Sequence, residues 1–406
     1  MKPPLTPHVS RDELLRRLKA LRDEASKSGC DLVYIANATS IFYFTNLYFI
    51  QTERPLALLV PVDSDPVIIA PSVEKGHIEY RNKAFGGVVN DVVYYFDYPG
   101  ETSFVELAAN VIASQLGAKC VMGDLQSGAQ PLYGYKGVSL ADVLKSRGLR
   151  WLDLGDFVYG LRLRKSDEEL KLIEESGRWA ARAIEVALQV TRPGMWDWEV
   201  MLDASRQVLM EMNNFYKPYT PLKEPVGPVV GFRGQVGEFS AFPHALFSER
   251  PIREGDVLGV GSGPEIGGYY AELERTFVVG APNNDIRRLF EYMLRLRKAA
   301  IEAAAPGVEV SKIDAAVREE AKRLGIADLL RHHVGHGIGI EIHEPPYLDI
   351  GYRARLEPGM VFTIEPGIYV PGVEGFRHSD TFVVTREGVR QLTRFPEDLD
   401  ELVVRP

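Results

Sequence analysis

At 406 residues the chain is long enough for two domains with substantial cores, and its 45% hydrophobic and 25% charged residues are ordinary for a soluble globular protein. A formal charge of −9 and the lack of a dense basic stripe in the sequence argue against a nucleic-acid binder, and no apolar run approaches the roughly 18 residues of a membrane span. The opening MKPPLTPHVSRDELL lacks a signal-type apolar core, and Cys30 and Cys120 are too few for a disulfide framework, so the expectation is a cytoplasmic protein with neither nucleic-acid nor membrane partners.

In chain order, Ser10 precedes RDELLRRLKALRDEA, whose leucines recur at helical spacing, so the first element is a capped amphipathic helix. The runs DLVYIAN, SIFYFTNLYF, LALLVPV, PVIIAPS and VVNDVVYYF are rich in β-branched and aromatic residues and read as strands. Helical stretches around 104–116 and 140–147 flank the strand-like CVMGDL, and this alternation indicates an α/β domain over residues 1–160.

A second domain, 161–406, begins at KSDEELKLIEESGRWAARAIEVALQ, where Ser166 and Glu169 have the spacing of a capping box. That helix ends at Thr191-Arg192-Pro193-Gly194 and a second one follows in WDWEVMLDASRQVLMEM. The order repeats: a helix over 285–304 stops at Ala305-Pro306-Gly307, and SKIDAAVREEAKRLG forms the next. Helix, Pro-Gly, helix, strands, met twice, predicts an internal duplication.

The chemistry collects in this second domain. In YYAELERTF, 269–277, a strand entered by a turn at Gly267-Gly268 puts Glu272 and Glu274 on one face. Such a pair belongs on a solvated face, around a cation, or in a catalytic site. Six of the eight histidines, His244, His332, His333, His336, His343 and His378, also lie here, beside Gly, Pro or acidic residues. HHVGHGIGIEIHEPPYL predicts a strand between His336 and His343, approached through a Gly-rich turn whose backbone passes close to something. Glu365, between an apolar run and a Pro-Gly turn, needs a cation, a donor network or a shifted pKa. His244, after a proline, is a candidate general acid or base.

Taken in order, PH, GGYYxxxxRTF, GHGIGxxxHEPP, LEPGMVFTIEPGIY and RxxDT resemble the pita-bread enzymes, the aminopeptidase P, prolidase and creatinase group, over about 165–400. FYFTNL followed by ERPLALLVP is similar to that group's N-terminal domain. The fold implied is an α/β N-terminal domain plus an α+β pita-bread C-terminal domain with internal pseudo-twofold duplication. Peptidases of the group hold two divalent metals on two aspartates, one histidine and two glutamates. Here Gly261 stands for the first aspartate, Glu272 for the second, His336 and Glu365 match, and Ser379 stands for the bridging glutamate.

Those departures imply a metal-independent, creatinase-like hydrolase of a C–N bond in a small cationic or amidine-like substrate, with no cofactor. Glu274 and Glu365 would hold the cation, His244 would shuttle protons, and His343 would complete the catalytic set. His336 would bind substrate, as would Arg54, reaching a neighbouring subunit's site in a homodimer. The alternative is an Xaa-Pro dipeptidase or aminopeptidase P-like peptidase that takes short peptides, with one manganese, cobalt, zinc or iron ion on Glu272, His336 and Glu365. A second alternative is a binding homologue without catalysis.

Overall fold

The structure, a computed structural model, describes residues 7–130 and 137–405. The chain divides into two compact units, His8–Leu161 and the chain from Arg162 onward.

In the first unit, helix α1 (Arg11–Lys27) is followed by β1 (Leu32–Ile35), α2 (Ala38–Thr45), β2 (Ala57–Pro61), β3 (Val67–Pro71), α3 (Lys75–Ala84), β4 (Asp91–Tyr95), α4 (Phe104–Asn110), β5 (Cys120–Gly123), α5 (Leu140–Ser146), β6 (Arg150–Asp153) and α6 (Phe157–Leu163). Among the described residues the strands form a six-stranded sheet in the order β4-β3-β2-β1-β5-β6. Leu32, Tyr34, Leu59, Ile69 and Val121 project from it onto Ala108, Ile112 and Leu144 of the helices. The expected cap is present: the Ser10 hydroxyl accepts from the backbone of Glu13.

Two expectations are corrected in this unit. SIFYFTNLYF forms helix α2 rather than a strand: Asn37 caps it by accepting from Ser40, and Asn46, in the left-handed region at φ 59°, ends it. Every residue of α2 is buried, so the aromatic content marks a core helix. The two cysteines, too few for a framework, are nonetheless bonded. Cys120 opens β5 beside the residues that lead into β1, which leaves the two Cα atoms 4.5 Å apart.

The second unit starts with the capping box of Ser166 and Glu169 on α7 (Asp167–Val190), which pairs with α8 (Asp197–Tyr216). Strands β7 (Val230–Gly231), β8 (Val257–Ser262) and β9 (Leu273–Val279) follow. A second helix pair, α9 (Asn284–Ala303) and α10 (Val310–Arg323), precedes β10 (His336–Gly337), β11 (Glu344–Tyr347), β12 (Val361–Ile364), β13 (Gly367–Val370), β14 (Glu374–Arg377) and β15 (Ser379–Val384). This is the expected duplicated α+β arrangement: each half contributes two helices and its own strands. The sheet runs β11-β10-β12-β15-β9-β8-β7.

The two halves meet where β15 pairs antiparallel with β9, in the register Ser379↔Glu274 and Asp380↔Leu273. A buried ion cluster secures this seam. Asp380, fully buried, accepts from Arg275 of β9 and from Arg297 of α9, so the charges compensate away from water.

Candidate active site

The carboxylates gather at the seam because register puts them there. Gly267 and Gly268, at φ 61° and 87°, turn the chain into β9, so that Glu272 directly precedes the strand and Glu274 is its second residue. Glu272 is pinned to β15: its amide donates to Thr381 Oγ1 at 2.8 Å, and that hydroxyl donates to its carbonyl at 3.0 Å. Ser379 donates to Glu272 Oε1 at 2.6 Å. Glu365 follows β12 directly and is 8% exposed.

The strand expected between His336 and His343 is only two residues long. β10 pairs with β11, His336 opposite Tyr347 and Gly337 opposite Glu344, and the intervening residues form a wide turn. That turn folds His343 back onto His336, with the rings stacked at 3.9 Å. Glu344, the next residue, is clamped by Lys165 Nζ at 2.7 Å and Arg162 Nη2 at 2.6 Å, which holds the turn. The close approach expected at the glycines is to the protein's own backbone: a Cβ at Gly337 would lie 2.2 Å from the Pro345 carbonyl.

His336 is 1% exposed and donates through Nδ1 to the Gly337 carbonyl at 3.0 Å, which turns Nε2 toward the carboxylates. Nε2 makes no hydrogen bond of normal geometry, although it lies 3.1 Å from Glu365 Oε1 and 3.8 Å from Glu272 Oε2. An orphaned buried nitrogen facing two carboxylates is what a metal ligand looks like without its ion. The donor set, one imidazole and two carboxylates, suits a borderline to hard divalent cation. Glu272, His336 and His343 offer ligand atoms within 4.8 Å of one another, as do Glu272, Glu274 and Glu365.

Electrostatics agree with that shape. Burial and the Glu365 charge push the Glu272 carboxyl up, to about 7. Burial would raise Glu365 too, but contact with His336 and Arg377 outweighs it and holds Glu365 well below the usual range. Burial would lower His336, yet Glu365 and Glu272 outweigh it and raise its pKa. Without an ion, the cluster therefore keeps protons on His336 and Glu272. His343 is lowered by burial and by the charge of His336, so it is neutral at pH 7.

Glu274 has a partner that sequence reasoning missed. Arg377, at the end of β14, donates through Nε to Glu274 Oε2 and through Nη2 to Oε1 at 2.9 Å. Its Nε also lies 3.9 Å from Glu365 Oε2. Arg377 stands two residues before Ser379 in the motif, so the signal was present, but its target depends on strand pairing. Beside the carboxylates lies a cavity of about 320 Å³, walled by Tyr219, Arg233, Gln235, Tyr270 and Ile342 as well as Glu272 and Glu274.

Of the other expected residues, His244 is exposed and near enough for its charge to act on His343. Arg54 belongs to the first unit, where it pairs with Asp97 at 2.7 Å and Glu53 at 2.5 Å. His378 is fully buried against Phe290, and burial holds it neutral. His332 bonds Tyr369 through Nε2 at 2.8 Å.

Comparison with known proteins assigns this architecture. The model of metallopeptidase family M24 matches residues 171–386, more than half of the chain, and the creatinase/prolidase N-terminal domain matches residues 17–146. An Xaa-Pro dipeptidase of Pyrococcus furiosus is 34% identical over 255 residues, covering 63% of this chain and 70% of that protein. An Xaa-Pro dipeptidase of Lactobacillus helveticus is 29% identical over 390 residues, covering 96% and 99%. The crystal structure of dipeptidase PepE from Mycobacterium ulcerans superposes with a TM-score of 0.79 at 26% identity, covering 98% of this chain and 100% of that one.

These relatives overturn one expectation and keep another. An enzyme that hydrolyses a C–N bond stands. The creatinase-like hydrolase of a cationic or amidine-like substrate does not, because the relatives are named as dipeptidases. The physical reason is visible at Glu274, whose planar cation is the chain's own Arg377. The chain belongs to metallopeptidase family M24.

Proposed function

We propose that this protein is a metal-dependent dipeptidase that hydrolyses Xaa-Pro dipeptides, with a divalent ion held by Glu272, His336 and Glu365. The observation that carries the reading is the buried Nε2 of His336, left without a hydrogen bond between two carboxylates. The names of the relatives support the substrate class. A bound divalent ion would supply Lewis-acid polarisation of the scissile carbonyl.

The chain's own residues supply the rest. The Gly337 carbonyl orients the His336 ring through Nδ1, and Ser379 orients Glu272 by donating to its Oε1 at 2.6 Å. His343, neutral and at the exposed edge of the cluster, donates a hydrogen bond to the substrate carbonyl oxygen as charge builds on it. His244, near His343, holds or returns the proton that the leaving imino nitrogen needs. The 320 Å³ cavity has the size of a small ligand site and accepts the N-terminal side chain.

The test is an assay of Xaa-Pro dipeptides against Xaa-Ala dipeptides and Xaa-Pro tripeptides, on metal-free protein and after loading with manganese, cobalt, zinc or iron. Hydrolysis confined to loaded protein and fastest on Xaa-Pro dipeptides is expected. A loaded protein that releases no proline from any dipeptide would falsify the proposal.

A further inference from the structure

Glu274 fills space that β8 leaves open. In the β8–β9 register Gly261 faces Glu274, and a Cβ at 261 would come to 3.0 Å from Glu274 Cγ and 3.2 Å from its Oε1. A side chain at 261 would crowd the present position of Glu274, which would have to give by a few tenths of an ångström. β8 therefore offers the cluster no carboxylate at this position, while Glu272 and Glu274 both enter from the β9 side.

Three carboxylates within 4.8 Å of one another demand positive charge. Part of it is built in. The Arg377 guanidinium, its side chain 10% exposed, forks onto both oxygens of Glu274, lies 3.9 Å from Glu365 Oε2, and reaches the Tyr369 hydroxyl through Nη1 at 3.3 Å. On the ion side, Glu272 Oε1 is taken by Ser379, which leaves Glu272 Oε2, His336 Nε2 and the oxygens of Glu365.

We propose that Arg377 is a resident cation of this cluster. By occupying both oxygens of Glu274 it takes the charge and the room of a second ion, and holds the site to a single divalent ion on Glu272, His336 and Glu365. This rests on the metal-site reading above and adds to it the ion count and the part played by Arg377. An arginine cannot shed its charge, and its fork fits a carboxylate bidentately. A second ion would have to strip Glu274 of both hydrogen bonds and sit beside a guanidinium largely shielded from water, where like charges repel.

The experiment counts ions. Metal-free protein is incubated with excess manganese, freed of unbound ion by gel filtration, and examined by elemental analysis and electron paramagnetic resonance. The wild type should carry close to one manganese per chain with the spectrum of an isolated ion. Arg377→Met, which keeps bulk and removes charge, should bind a second ion and give a spin-coupled spectrum. R377K should stay at one, and adding E274Q to R377M should return the count to one. Two ions or none in the wild type, or a single ion in a folded R377M, overturns the inference; if R377M does not fold, the wild-type count and R377K decide. One ion without dipeptide hydrolysis would sink the proposed function alone, whereas hydrolysis with two ions would sink this inference alone.

Discussion

Glu272 is a part-buried carboxylate whose state depends on one small neighbour. Ser379 donates to it at 2.6 Å and favours its charged form, against burial and the charge of Glu365. Ser379→Ala should therefore weaken manganese affinity at pH 7 by about tenfold, the low end for removing a group that orients a ligand; an unchanged binding isotherm would show that Ser379 does not orient it. The proton balance gives a second expectation. Glu272 and His336 are both raised in the ion-free cluster, so each holds a proton that an incoming ion must displace. Affinity should rise with pH between about 6 and 8, and calorimetry in buffers of different ionisation enthalpy should detect proton release. Affinity independent of pH in that range would contradict the assignment. Glu272, His336 and Glu365 were legible in the sequence because each sits in a recognisable motif position. The role of Glu274 was not, since its partner Arg377 lies 103 residues away and meets it only through the packing of β14 beside β9.

At the scale of elements, the seam of β9 and β15 explains why the cluster exists at all. Register Ser379↔Glu274 brings a residue of each half face to face, and Arg275 with Asp380 secures it from beneath. The helix pairs were readable from caps and Pro-Gly stops, because those signals are local. The strand between His336 and His343 and the helix α2 were misread for opposite reasons. The first is a turn shaped by its neighbours β11 and β12, and the second is a helix buried on every side, where periodicity carries no information. β14 supplies a stability test. Glu374, 9% exposed, is raised to about 7 by burial and by Asp285 and Asp256, from an ordinary value of 4.5. The folded protein thus keeps a proton that the unfolded chain releases, and this contribution to stability is full below about pH 4.5 and lost as pH rises through about 7. Glu374→Gln should leave stability at pH 4 unchanged and raise it at pH 8 by on the order of 1 kcal/mol, allowing for solvent screening. Denaturant midpoints at the two pH values check this, and equal differences at both would refute it.

At the scale of the whole molecule, a fold built from a duplicated helix–helix–sheet unit places its chemistry on the strands where its halves join. No helix among the described residues is long and apolar enough to cross a membrane. The overall arrangement was legible because the motifs occur in order along the second unit. The function was misread because Gly261 and Ser379 look like lost ligands and Glu274 like an added seat for a cationic substrate, while together they form one rearranged cluster with Arg377 inside it. The most direct test of a metal-dependent dipeptidase is proline release from an Xaa-Pro dipeptide by one preparation measured three times: metal-free, loaded with manganese, and loaded then treated with a chelator, beside an E365Q control. Release should appear on loading, vanish with the chelator, and fall at least about 100-fold in the control. Release that persists in the metal-free protein, or that E365Q leaves intact, would contradict the assignment of Glu272, His336 and Glu365 as the centre of the site.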